Sequence, residues 1–300
     1  MLKIAFHSIY KHPLPEGHRF PMLKYELLPK QLLHEGTCTN DNFFEPEIPN
    51  DKYILAAHDP EYFYDLLNMK IPPREARKIG FPLSEDLVER ERIIADGTMK
   101  GCEFALEYGV AMNIAGGTHH AYSNRGEAFC MLNDQAIGAR FLQSKGLAKK
   151  ILIVDLDVHQ GNGTAEIFQG DASVFTFSMH GAGNYPFRKE KSDLDIPLEK
   201  NTGDDEYLSI LKKILPKLIA EERPDFIFYL CGVDVIATDK LGTLGLSVEG
   251  CRQRDGFVLE TCRELEIPVQ CSMGGGYSPE IKTIVEAHAN TFRTAQQVYF

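Results

Sequence analysis

Apolar runs of strand length alternate with stretches of helical period from one end of this chain to the other, and that alternation constrains the fold more than any other feature. The strand candidates are Ile4–Tyr10, Ala111–Ala115, Lys150–Val158, Val174–Met179, Phe226–Cys231 and Val269–Met273. They are apolar throughout rather than at every second residue, as expected of parallel strands covered on both faces. Helical stretches lie between them at Leu87–Tyr108, Gln135–Ser144, Tyr207–Glu222, Val248–Leu265 and Ile281–Gln297. Asp204 or Asp205 is placed to cap the third of these, and Ser247 and Ser278 the last two. Strand, helix, strand in repetition predicts an α/β fold around a doubly wound parallel sheet. Glu45–Pro49 and Ile71–Gly80, the latter containing Pro72-Pro73, are expected as surface loops. No linker, repeat or low-complexity segment interrupts the 300 residues, so one domain over 1–300 is the expectation.

Hydrophobic residues at 43% and charged residues at 25% give enough apolar material for a sizeable core. A net charge of −11 argues against a nucleic-acid groove, which needs a basic face. Excess acid serves solubility and could equally favour a cationic substrate, such as a polyamine or a lysine-rich tail. No stretch approaches the roughly 18 consecutive apolar residues of a membrane span, and the N-terminus shows no secretory pattern. The seven cysteines form no paired spacing, and Cys130, Cys231 and Cys271 sit in apolar runs as buried thiols would. A reducing cytoplasm is the expected compartment. Oligomeric state is not legible.

In open α/β sheets the active site lies outside the carboxyl ends of the strands, and polar groups collect at four of them. The first is Asp155-Leu156-Asp157-Val158-His159, followed by Gln160-Gly161-Asn162-Gly163. Alternation along a strand presents Asp155, Asp157 and His159 on one side. Two carboxylates beside an apolar run are costly to bury unless they are paired or hold a cation, and Asp with His is a ligand set that suits Zn²⁺. A strand-end acidic pair bonded to loop amides is the plainer alternative. The second end is Gly116-Gly117-Thr118-His119-His120, the third Gly232-Val233-Asp234, the fourth Gly274-Gly275-Gly276-Tyr277. Each piece alone has a structural explanation: a satisfied histidine, a helix-capping Asp, a loop tyrosine. Together they supply three metal ligands in Asp157, His159 and Asp234, an open position, a base and an oxyanion donor, which is what a metal-dependent amidohydrolase needs.

Gly-Gly-Thr-His-His-Ala (116–121), Phe-Cys-Met-Leu-Asn-Asp (129–134), Asp-Leu-Asp-Val-His-Gln-Gly-Asn-Gly-Thr (155–164) and Asp-Lys-Leu-Gly (239–242) resemble the histone deacetylase family of the arginase–deacetylase superfamily. His-Gln-Gly-Asn-Gly and Gly203-Asp204-Asp205-Glu206-Tyr207-Leu208 look most like its class IV members and their bacterial relatives. The resemblance implies an arginase-like three-layer fold with a central eight-stranded, mostly parallel sheet. It implies zinc on Asp157, His159 and Asp234, His120 as general base, and His119 as an electrostatic partner oriented by Asp155. Tyr277 would be the oxyanion donor, and Phe129 and Tyr185 the walls of a narrow lysine channel. Arg19 matches an arginine of an internal exit channel, and a structural K⁺ site is implied around Asp155, Asp157, His159, Ser178 and Met179.

The chain departs from the family at three places. Asn162 stands behind the base where class I members have Asp. Ala128 replaces a glycine before the channel phenylalanine. Pro60 falls where a rim aspartate holds the peptide, with Asp59 and Glu61 beside it. Thr118 is small where several relatives carry Leu or Trp, and Met131 is adaptable, so a roomy acyl foot is expected, favouring long acyl chains. The leading reading is a zinc-dependent N-acyl-lysine deacylase acting on proteins or peptides. An acylpolyamine amidohydrolase shares the chemistry. A ureohydrolase would need more carboxylates, and an inactive acyl-lysine reader would not need the intact set.

Overall fold

The computed structural model describes residues 1–300, and its eight strands pair into one sheet. They are β1 (Lys3–Ala5), β2 (Phe43–Phe44), β3 (Val110–Asn113), β4 (Ile151–Asp155), β5 (Val174–Gly181), β6 (Leu194–Leu198), β7 (Phe226–Leu230) and β8 (Val269–Ser272). Every pairing is parallel, in the order β2-β1-β3-β8-β7-β4-β5-β6. The helices are α1 (Lys24–His34), α2 (Asp51–Ile54), α3 (Pro60–Leu67), α4 (Pro73–Ile79), α5 (Glu85–Tyr108), α6 (Asp134–Ser144), α7 (Asn162–Ile167), α8 (Asp204–Glu222), α9 (Val248–Glu264) and α10 (Ile281–Tyr299). Of the six apolar runs, four hold the central strands β3, β4, β7 and β8, buried at every position, and the other two overlap β1 and β5. This is the arginase-like α/β architecture, with every strand parallel. No helix is long and apolar enough to cross a membrane.

Register decides where the site lies. Asn113 pairs with Ser272, Ser272 with Leu230, and Leu230 with Asp155. The last residues of β3, β8, β7 and β4 therefore form one row, and these four strands are adjacent in the sheet. The four polar segments all leave from that row.

Several local expectations fail for identifiable reasons. β1 stops at Ala5, because Ser8–Tyr10 forms a 3-10 turn in which the His7 ring accepts from Ile9 N–H at 3.0 Å. β2 and β6 are edge strands without a continuous apolar run. β6 contains Pro197, which an edge tolerates because the missing N–H breaks no interior ladder. Ile71–Gly80 is not a plain loop, since it holds α4. Pro73 opens that helix, where a proline lacks nothing, and Gly80 ends it at φ +82°. Ser247 caps α9 by accepting from Gly250 N–H. Gly203, not Asp204 or Asp205, precedes α8, and Asp204 instead accepts from Ser247. Ser278 does not cap α10, because Glu280 occupies that position and Ser278 bonds Thr238. All seven cysteines are free and buried.

Candidate metal centre and catalytic pocket

Asp157, His159 and Asp234 converge, each offering one ligand atom within 4.8 Å of the others, and all three are buried. His159 Nδ1 lies 3.0 Å from Asp157 Oδ1 and 3.1 Å from Asp234 Oδ2. β4 ends at Asp155, so strand alternation does not set this geometry. The chain bends instead, with Asp155 Oδ1 accepting from Asp157 N–H (3.1 Å) and Asp157 Oδ1 from His159 N–H (3.0 Å). Asp155 thereby turns away from the trio, toward His119. Burial, then repulsion from Asp157, pushes Asp234 up to about 7. Burial disfavours a charged His159, yet its bonds to Asp157 and Asp234 hold its pKa up to about 10. Two buried carboxylates aimed at one imidazole thus draw a proton onto His159 where a divalent cation would replace it.

The donor set fits zinc: two carboxylate oxygens, one ring nitrogen and no thiolate. Backbone packed against the trio leaves no room for side chains. A Cβ on Gly275 would run into Asp234 Oδ2, and one on Gly232 into Asp157 Oδ2. Gly275 N–H also donates to Asp157 Oδ2 at 2.9 Å.

His119 and His120 lie beside the trio with their rings tilted 47° to each other and centroids 4.1 Å apart, and their surroundings push them in opposite directions. Burial opposes charge on His119, but Asp155, bonded to Nδ1 at 2.7 Å, outweighs it and raises the pKa. His120 Nδ1 bonds the neutral Asn162 Oδ1 at 2.6 Å. Burial, then the charges of His119 and His159, drives its pKa well below the ordinary value. The two rings are thus biased in opposite senses, His119 toward the charged form and His120 toward the neutral one. Tyr277 is kept protonated by burial and by Asp234 and Asp157, so its hydroxyl is a donor. Asp239 fixes its backbone by accepting from Tyr277 N–H at 2.6 Å.

These groups open on a cavity of ≈ 460 Å³, lined also by Phe129, Tyr185, Ala128, Gly275 and Thr118. Tyr185 stands edge-on to His120 at 5.0 Å, and Phe129 lies 6.2 Å from Tyr277. The sequence model described as "Histone deacetylase domain" matches residues 18–292. The chain belongs to the histone deacetylase family. It is 44% identical to an uncharacterized protein of Picosynechococcus over 99% of both chains. Identity to histone deacetylase clr6 of Schizosaccharomyces pombe is 32%, over 91% of this chain and 70% of that one. The acetoin utilization protein AcuC of Staphylococcus aureus is 28% identical, over 84% and 70%. A solved histone deacetylase homologue in complex with SAHA shares the fold at TM-score 0.85 and 24% identity, over 99% and 84%.

Not every residue expected of a deacetylase pocket lies where the sequence suggested. Arg19 is not internal. It is exposed, with its guanidinium carbon 5.0 Å from the centroid of the Phe129 ring. The buried arginine on the cavity wall is Arg90, bonded to Tyr10 O (2.8 Å) and to Glu91. Met131 lines no part of the cavity; it lies fully buried in the core. Thr118 does line it, but its hydroxyl bonds Leu132 O (2.5 Å) and Asp134 (2.8 Å), so it is anchored rather than simply small. Asp59 caps α3 and takes no part in the pocket. Asp155 and Ser178 are register partners on β4 and β5, with Met179 next along β5.

Lys24 went unnoticed in the sequence. It is fully buried, donates to Gly274 O at 3.0 Å and lies 5.9 Å from the centroid of the Tyr277 ring. Burial lowers its pKa to about 8 against the pull of Asp234, Asp157 and Asp239. Arg254, also fully buried, donates to Leu156 O (3.1 Å) and Gly232 O (2.7 Å), tying the β4 and β7 segments together. Neither had a sequence signal, because a basic residue in an amphipathic helix reads as solvent-facing.

Proposed function

We propose that the whole chain, residues 1–300, acts as a zinc-dependent amidohydrolase that removes acetyl and other short acyl groups from lysine side chains of proteins or peptides. The observation that carries this is the buried Asp157–His159–Asp234 trio, two of whose members line one cavity together with His120, biased toward its neutral form, and a protonated Tyr277. Zinc would supply Lewis acidity toward the amide carbonyl and acidify the attacking water. His120 takes the proton from that water as its oxygen bonds to the carbonyl carbon. Tyr277 donates to the developing oxyanion, and His119, biased toward its charged form by Asp155, adds favourable charge. As the C–N bond breaks, His120 returns the proton to the leaving lysine amine, leaving a carboxylate. Phe129 and Tyr185 would flank the lysine methylenes and exclude water.

Arg90 supports a short acyl group. Its guanidinium, already paired with Glu91, presents a polar wall that a long alkyl tail gains little by covering. A structural K⁺ held by the backbone of Asp155, Asp157, His159, Ser178 and Met179 belongs to the same reading.

Metal analysis and an acetyl-lysine peptide assay test it together. One zinc per chain and turnover abolished by Asp234→Ala are expected. Full zinc occupancy in that variant would refute the ligand set. Zinc-loaded protein that binds acyl-lysine without turnover would point to a reader instead.

A further inference from the structure

The chain carries a net charge of −11, yet the lining of its catalytic cavity is basic. Asp157, at the metal trio, is the one carboxylate among the lining residues, whereas Arg19 and Lys78 line the cavity, as does Arg90, whose charge is paired with buried Glu91. Arg19 is exposed at the mouth and pairs with no carboxylate. Lys78 has only a loose contact with Glu75, at 3.6 Å. Farther along the rim, Phe187 is 90% exposed beside Tyr185, and the exposed Arg188 follows it. Glu127 reaches the rim but is engaged, accepting from Tyr185 Oη (2.6 Å) and Arg125 Nε (3.0 Å). Asp59 offers the rim no free carboxylate, since it is committed to capping α3.

We infer that the rim selects acyl-lysine flanked by aspartate or glutamate, and rejects both basic tails and polyamines. The inference rests on the deacylase reading and narrows its substrate class. It also reverses what the net charge suggested, because a docking substrate responds to the local field of Arg19, Lys78 and Arg188 rather than to the charge of the whole chain. The aromatic pair Tyr185 and Phe187 gives the peptide beside the modified lysine an apolar surface to cover. An exposed ion pair contributes about two- to fivefold in affinity, so acidic over basic flanks should reach about fivefold or more when two contacts form.

The test uses the zinc-loaded enzyme and three acetyl-lysine peptides with acidic, neutral or basic flanks, together with acetylputrescine. Expected kcat/KM falls in that order, acetylputrescine ranks last, and the differences lie in KM and shrink in high salt. Arg19→Gln and Lys78→Glu should each compress the acidic-to-basic ratio. Arg19→Lys should retain most of it, which separates charge from the packing of Arg19 on Phe129. Preference for basic flanks or acetylputrescine, or a ratio that Arg19→Gln leaves untouched, overturns the rim assignment while the deacylase reading stands. No turnover of any peptide by zinc-loaded enzyme takes both down.

Discussion

His119 and His120 are neighbours in sequence with opposite electrostatics, and the difference traces to what each Nδ1 meets: Asp155 for one, Asn162 for the other. The consequence is an ordering of variants. His120→Ala and Tyr277→Phe should each lower kcat by about two to four orders of magnitude while zinc stays bound. His119→Ala should do less damage, and steady-state kinetics showing the reverse order would reassign the base. The pH profile follows from the same geometry. With His120 as the proposed neutral base, activity should fall as pH drops through its pKa, which burial and the neighbouring imidazolium charges depress. Asn162→Asp places a carboxylate on Nδ1, favours the cation and raises that pKa. The acidic limb of kcat/KM should therefore move to higher pH. A limb that stays put or moves down contradicts the assignment.

Helices and turns carry the site through contacts made at their ends. Ala128 and Phe129 sit at φ +44° and +69° because their N–H groups reach back to Lys78 O (2.9 Å) and Ile79 O (2.6 Å) at the end of α4. A left-handed alanine is strained by about 1–2 kcal/mol, part of which glycine recovers at the expense of a floppier unfolded chain. Ala128→Gly should be neutral to stabilising by about 1 kcal/mol, measured by denaturant midpoint, with the channel intact. α9 acts through Arg254, whose Nε bonds Asp255 at 2.9 Å while Asp255 also accepts from Tyr229 and Thr291. Arg254→Met leaves that carboxylate buried without its cation, and a loss of about 3–5 kcal/mol is expected. Adding Asp255→Asn should recover part of it. A near-neutral single variant would show that the pair is dispensable.

At the scale of the molecule, the candidate metal trio joins segments following β4 and β7, so binding of the proposed zinc would be linked to folding. A ligand bound only by the native state at about 1,000 times its Kd adds about 4 kcal/mol. Chelation should then lower Tm by several degrees in the wild type and leave Asp234→Ala indifferent. Equal responses in the two proteins would separate zinc from this site.

The six apolar runs and five long helices were legible in the sequence because both faces of the sheet are covered and periodicity follows burial directly. The trio was legible too, since each ligand stands at the end of an apolar run beside glycines that allow close approach. What sequence alone could not determine depended on partners distant in the chain. Edge strands β2 and β6 exist only because β1 and β5 offer free ladder groups. Lys24 is internal only because the Gly274 carbonyl, 250 residues away, accepts from it. Arg19 and Arg90 could not be ranked by composition; folding put the first at the mouth and the second on the inner wall. Local chemistry chose which residues could react, and register across β3, β8, β7 and β4 decided that they meet.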